Sequence, residues 1–422
     1  MKIKVSKLTG LFLLLILAIG NASLRLSEDG MTSFFRILSP VVVGVILLNR
    51  RKKLGKSFVC VMFGVIYSIA VSLMGYGSIA YEYIVFVLYI YAVFVIMVDI
   101  KESSDDFEYS FWKFLHITTT VVLILAFIQI FVRVPFPYVA MPRTPAVNLF
   151  MSNENELAEP LGFISLVYLY KILFENKKKY VFWLLAIDAL LFVNDAKLTI
   201  IGCVVGYALL LYIKLQSKCK KFSPIAAFGI AGGGVVVVVL LLYIMNPEIA
   251  FRDYSISLKD LIFDAVEHIV TLEPMPGRGG SLIDRTNAII YGLKELGNSN
   301  LLGIGLGHSV TMLSFPQYKL LTAKSMHNIV FQFLCEMGIF AFWAYFMIIK
   351  WVLKNIKHMY SNPHFVIKIV TIFSFIFISA QSSIGILSNY YTWMVLFYVA
   401  FLPDKRLQQQ NSLQCKCRND GG

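Results

Sequence analysis

Charged residues are scarce in this chain of 422 residues: Asp, Glu, Lys and Arg make up 15% of it, apolar types 58%, and the mean hydropathy is +0.72. That scarcity excludes an ordinary soluble domain, in which about a quarter of the residues are charged. Cysteine is sparse too. Of the six, Cys60, Cys203 and Cys335 fall in apolar runs, and Cys219, Cys415 and Cys417 fall in segments assigned below to the cytoplasm. None falls in a loop on the extracytoplasmic side, so no structural disulfide is expected. A single C-x-C in a polar tail, Cys415 and Cys417, is too slight a pattern for a metal site. His268 and His308 have no H-x-x-H or H-x-x-x-D companion, so neither a metal nor another cofactor is expected. No small-residue cleavage site follows the first apolar run, which is therefore expected to be retained as a span. Internal repeats are lacking, and the only low-complexity tract is the valine run at 235–239.

What the chain has in abundance is long apolar runs. Segments of about 17 to 25 residues, enough to cross roughly 30 Å of hydrocarbon as helix, recur near 8–24, 34–49, 57–75, 83–99, 114–132 and 157–174. More follow near 180–194, 198–215, 224–245, 327–350, 365–382 and 386–402. The pair at 180–215 is separated only by "NDAK". The expected fold is all-α: a polytopic helical bundle of about twelve spans, forming one integral membrane domain over residues 1–422. With the N-terminus in the cytoplasm, "NRRKKLGKS" (49–57), "ENKKKY" (175–180), "KLQSKCKK" (214–221), "KWVLKNIK" (350–357) and the C-terminal tail all lie inside. Basic residues collect on cytoplasmic loops, so the net charge of +13 reads as a topology signal. Nucleic-acid binding, the other usual meaning of a basic chain, is not expected.

Two outside segments are long. The first, 133–156, "RVPFPYVAMPRTPAVNLFMSNENE", carries four prolines that exclude regular helix through most of it. The second, 246–326, is too long for a simple connection. Within it, "DRTNAIIYGLKELGN" (284–298) predicts a short amphipathic helix. Asp284 is its expected N-cap, Ile289, Leu293 and Leu296 its apolar face, and Gly297-Asn298 its stop.

Polar residues inside or beside these runs carry the chemistry. "SMHNIVFQFLCEMG" (325–338) places Asn328, Gln332 and Glu336 at i, i+4 and i+8, one stripe on a helix that starts at His327. At 1.5 Å per residue Glu336 would lie roughly 13 Å below His327, where a carboxylate must face the bundle interior or a wet cavity. Arg285, Arg143 and Lys197 bring positive charge to the outer side, suited to phosphate or diphosphate: arginine through its fork, lysine as a point charge. "LLGIGLGHS" (301–309) has Gly303, Gly305 and Gly307 at alternate positions. It follows no strand and is no dinucleotide fingerprint; it is either a segment whose amides approach an anion or a sugar, or a tight turn packed on the bundle.

The run "DRTNAIIYGLKELGNSNLLGIGLGHS" followed by "SMHNIVFQFLCEMGIFAF" resembles the O-antigen polymerase and O-antigen ligase superfamily of membrane glycosyltransferases. The likeness lies in an Arg-led helix, a Gly-x-Gly turn, and a His-Asn pair leading into a span with a following Glu-x-Gly. "MSNENELAEPLGF" (151–163), with Asn155, resembles the Asn-rich lead-in to an earlier span, and "NDAKLTIIGCVVGYALLL" (194–211) resembles the Ser-Arg-Gly stretch before another. Lys197 stands where the family usually has arginine, which keeps the charge and loses the bidentate fork. The resemblance spans roughly 140–345.

It implies a metal-independent enzyme of the inner membrane, acting at the periplasmic face on an oligosaccharide carried by undecaprenyl diphosphate. Membrane lipids, a flippase and a chain-length regulator are the other implied partners. Arg285 and His327 would be catalytic. Arg285, supported by Lys197 and Arg143, would hold the diphosphate and stabilise the departing phosphate. His327 would either contact the diphosphate or take the proton of the acceptor hydroxyl. Asn328, Glu336 and Asn155 would line the substrate cavity. A polymerase is favoured, with a ligase that transfers the glycan to lipid A core as the alternative. A twelve-span transporter fits less well, because such carriers place the long loop in the cytoplasm at mid-chain.

Overall fold

The computed structural model describes residues 11, 14, 55–104, 106–133, 142, 144–149, 151, 153–219, 248–250, 255–257, 266–275, 281–315, 318, 320, 326–356, 362–381, 387 and 389–403. The expected spans at 8–24, 34–49 and 224–245 lie outside these residues, apart from positions 11 and 14, as do Arg143, Cys415 and Cys417.

Among the described residues the chain is helical, save for a small antiparallel ribbon of β1 (Glu248–Ala250) and β2 (Ser255–Ser257). Membrane-length helices come first: α1 (Gly55–Tyr76), α2 (Tyr81–Ser103), α3 (Phe107–Val132) and α4 (Glu154–Phe174). The short α5 (Val181–Val193) and the longer α6 (Lys197–Cys219) follow. Next come α7 (Ser281–Asn298) and α8 (His308–Leu313), then α9 (Ile329–Met337), α10 (Ile339–Asn355), α11 (Pro363–Ile378) and α12 (Tyr390–Phe401). Five of them, α1 to α4 and α6, are long and apolar enough to cross a membrane, and α11 and α12 are shorter apolar helices. The chain is a polytopic helical membrane protein.

Asparagine and aspartate side chains open many of these helices. Asp106 accepts from the Tyr109 amide at 3.2 Å, Asn153 from Glu156 at 3.0 Å, and Asn362 from His364 at 3.0 Å, with Pro363 in the first helical turn. Successive helices reverse direction, so their ends gather into two rims. One rim joins Trp112 to Tyr180 (Nε1 to OH, 2.7 Å), His364 to the Pro403 carbonyl (2.6 Å) and Lys101 to the face of Phe401 (4.9 Å). The other holds the α5–α6 turn and the chain ahead of α4. There the Asn194 amide group brackets Val147 with two 2.9 Å hydrogen bonds, and Gln129 accepts from the amides of Asn148 and Leu149 (3.1 and 2.9 Å).

The most deeply buried helix is α4, and α6 packs against it and against α11 through small residues. A Cβ at Gly206 would come within 2.4 Å of Leu166 and 2.6 Å of Ser374, and one at Gly202 within 2.6 Å of Ile378. In a membrane, where apolar side chains gain little by leaving lipid, close backbone approach of this kind carries the association.

The expected span 327–350 is a correction. It is two helices, α9 and α10, broken at Gly338, whose φ of 48° ends the first. The Ile339 amide then donates to the Leu301 carbonyl at 2.9 Å. Large exposed apolar side chains occur along α10 (Ile339, Phe342, Trp343, Phe346 and others), and none belongs to α9. The exposed apolar surface thus belongs to α10, and α9 packs within the protein. Asp284 is a second correction: α7 starts at Ser281, three residues earlier than expected, so Asp284 is a buried residue of its first turn rather than its N-cap.

Replacing Gly206 by Val should overpack the α4–α6–α11 seam and lower the thermal midpoint of the detergent-solubilised protein, at a cost of about 1–3 kcal/mol. Gly75→Ala, with open space around its Cβ, should not. Equal midpoints for the two variants would contradict this packing.

A candidate anion site at Arg285 and His327

The site is built on a cap formed by α7, the turn 299–307, α8 and α9, seated at the rim that holds the α1–α2 and α5–α6 turns. The turn comes first because it fixes the rest. Gly303, Gly305 and Gly307 take φ values of 89°, 86° and 81°, a left-handed backbone that a side chain would strain, and a Cβ at Gly305 would collide with Ser72. The turn's amides are all engaged within the protein. Ile304 donates to the Cys335 carbonyl (3.0 Å), Gly305 to that of Glu336 (2.8 Å), and Leu306 to Ser68 Oγ (2.9 Å). Of the two roles open for this glycine run, the structure shows the packed turn.

Glu336 closes it. Buried to 1% exposure, its carboxylate accepts from the Ser309 hydroxyl, from Gln332 Nε2 at 3.0 Å, and from the backbone amides of Gly307 and Ser309. The carboxylate therefore stabilises the start of α8 and ties it to α9. Its oxygens face the turn, not an open cavity. Asn328 is equally occupied: its side-chain oxygen caps α9, accepting from Val330 and Phe331 at 3.0 and 3.3 Å.

Against this satisfied frame, Arg285 and His327 stand apart. Helix α7 lies on α9 where Gly292 leaves room, since a Cβ there would meet Met326 at 2.1 Å and Cys335 Sγ at 2.9 Å. Ahead of it, Asn287 brackets Met275, accepting from its amide at 2.7 Å and donating to its carbonyl at 3.2 Å. Arg285 thereby comes beside His327, which precedes the α9 cap with a left-handed φ of 45°. Among the described residues Arg285 has no hydrogen-bond or ion-pair partner, and its Nε and the Nδ1 of His327 are both buried and unsatisfied.

Burial lowers the pKa of Arg285, although a guanidinium stays charged. Burial first, and then the Arg285 charge, push His327 down to about 4. A buried guanidinium with no counter-ion among the described residues, near enough to His327 to act on its charge, has the complement of an anion.

The other candidates form a second group at the same rim. Asn155, in the first turn of α4, accepts from Gln381 Nε2 at 2.6 Å, and Gln381 Oε1 accepts from the Leu198 amide at 2.9 Å. Lys197 opens α6 and is exposed, paired with Asp195 at 3.1 Å. Gln381 links Asn155 to the start of α6 and escaped the sequence reading, since a lone glutamine after a span carries no motif. His308 was noted there only for lacking metal partners. It is in fact buried, stacked on Tyr76 at 4.5 Å between ring centroids, with its Nε2 against the Ser78 carbonyl at 3.1 Å.

Residues 180–346 match the family described as O-antigen ligase. That segment, less than half of the chain, is similar to this family. The matched residues include Lys197, Arg285, His327, Asn328 and Glu336, and exclude Asn155 and Arg143. No curated protein matches the chain, and no solved structure does.

The imidazole of an unfolded chain protonates near 6.5, whereas His327 in the fold resists protonation down to about 4. The unfolded state thus binds the extra proton between these values, and stability falls as pH drops through that window. His327→Gln should flatten this part of the decline in thermal midpoint between pH 6.5 and pH 4. An unchanged acid-side decline would contradict the placement of His327 beside Arg285.

Proposed function

We propose that this protein is a membrane glycosyltransferase that polymerises undecaprenyl-diphosphate-linked O-antigen repeat units at the periplasmic face of the inner membrane. The observation that carries the reading is the pair Arg285 and His327, close enough to interact electrostatically and without a counter-ion among the described residues, inside the segment that matches the family.

In the reaction, a hydroxyl of the acceptor sugar attacks the anomeric carbon of the donor glycan. The new C–O bond forms as the bond from that carbon to the phosphate oxygen breaks, and the diphosphate leaves with the electron pair. Arg285 faces that developing charge, the place where electrostatic stabilisation counts most. The hydroxyl proton passes to His327, which is neutral at pH 7 and so free to accept it. The substrate itself sharpens this role. A diphosphate bound beside Arg285 offsets the positive charge that depresses the imidazole pKa, so His327 becomes more basic when the donor is in place. In this reading Lys197 and Arg143 support Arg285 in holding the diphosphate, while Glu336 and Asn328 hold α8 and α9 in position and Asn155 holds the start of α6.

The description of the matching family favours a ligase as the second reading. The two differ in the acceptor and share the donor chemistry.

Arg285→Ala and His327→Ala should each reduce glycan transfer at least a hundredfold while the protein still inserts in the membrane, with Arg285→Lys retaining part of the activity. Lipopolysaccharide from a deletion strain complemented with each variant reads this on a gel. Core bearing one repeat unit supports the polymerase, core without any repeat supports the ligase, and normal chain lengths with both alanine variants would overturn the assignment.

A further inference from the structure

The cap carries a second cluster, partly buried and chemically unlike the first. Tyr291 of α7 meets the Tyr318 ring at 4.7 Å between centroids, inclined by 56°, and the Tyr318 hydroxyl donates to Glu295 Oε1 at 2.9 Å. Asn298 Nδ2 donates to the same oxygen at 3.3 Å. Among the described residues Glu295 Oε2 has no partner. Tyr76, at the end of α1, lies close enough to interact electrostatically with Glu295 and Tyr318, and its ring is stacked parallel on His308.

His308 supplies the decisive detail. A carbonyl only accepts, so the contact of Nε2 with Ser78 O places the imidazole proton on Nε2. Nδ1 is then a bare lone pair on a residue 2% exposed, with no partner among the described residues. A buried acceptor left this way calls for a donor.

The free groups in this cluster, Glu295 Oε2 and His308 Nδ1, are thus acceptors, set among tyrosine rings that are apolar on their faces. An anion would be repelled here. A pyranose ring fits, since its C–H face lies on aromatic carbon and its rim is made of hydroxyl donors. Arg285 and Glu295 are ten residues apart on α7, about 15 Å along the axis. One end of α7 therefore carries a buried guanidinium with an unmet donor, and the other carries unmet acceptors.

We propose that Tyr76, Tyr291, Glu295, His308 and Tyr318 form a sugar subsite that binds a hydroxyl-rich pyranose of the glycan, with Glu295 and His308 accepting its hydroxyl protons. The proposal deepens the glycosyltransferase reading and rests on it for the identity of the sugar. It assigns the neutral part of the substrate to one end of α7 and the diphosphate to the other.

The test uses the purified full-length protein in lipid nanodiscs and two probes: the free repeat-unit glycan, released from its lipid carrier, and inorganic pyrophosphate. Glycan binding, followed by ligand-observed saturation-transfer NMR, should weaken at least tenfold in Glu295→Gln and in His308→Phe, which keeps a ring against Tyr76. It should persist in Arg285→Ala. Pyrophosphate binding should show the reverse pattern, and thermal midpoints check that each variant is folded. Glycan binding that is absent in the wild type, or unchanged in folded Glu295→Gln and His308→Phe, would overturn the subsite. Glycan binding that follows the prediction while pyrophosphate fails to bind would leave the subsite standing and sink the diphosphate reading instead.

Discussion

A guanidinium held half-buried near a neutral imidazole, with no carboxylate on either among the described residues, is the arrangement around which the cap is organised. Burying a charge without a partner is costly, and in membrane proteins polar groups away from water find partners inside the protein. The surrounding cap obeys that rule closely: Glu336, Asn328 and the amides of the glycine turn are all paired. Arg285 and His327 keep unsatisfied atoms within this frame, as do His308 and Gln332. Such departures concentrate where a ligand completes the set.

The frame keeps the pair in place by two kinds of constraint. Laterally, α6 is locked between α4 and α11 by glycine contacts that admit no side chain. Vertically, the turn at 301–307 is laced to Ser68 of α1 and to the break between α9 and α10, with Glu336 as the central acceptor. Moving Glu336 out of the lipid-facing part of the chain changes its meaning. A buried carboxylate deep in a span suggests a wet cavity, whereas the same group at the base of a cap is a clamp that sets where α9, and hence His327, stands.

How far the sequence could be read depends on where the deciding forces lie. The α5–α6 reversal was legible because Asn194 and Asp195 are turn formers between apolar runs, and the structure ends α5 at Val193 and starts α6 at Lys197. The break at Gly338 was not, because hydrophobicity continues across it and one glycine is tolerated within a helix; a tertiary hydrogen bond from Ile339 to Leu301 decides it. Asp284 looked like a cap for the same local reason, yet Ser281, Leu282 and Ile283 extend the helix ahead of it. At the site, the residue types at Arg285 and His327 were readable while their adjacency was not, since about forty residues of intervening chain must fold back to create it. His308 and Gln381 had no motif to announce them; their significance comes entirely from what surrounds them.

The most direct test of the central claim is the titration of His327 by NMR in the isotopically labelled, full-length protein, with and without inorganic pyrophosphate. The account predicts an imidazole pKa well below 6.5 in the free protein and a clear rise when pyrophosphate occupies the position beside Arg285. An ordinary pKa in the free protein, or one that pyrophosphate leaves unmoved, would contradict it.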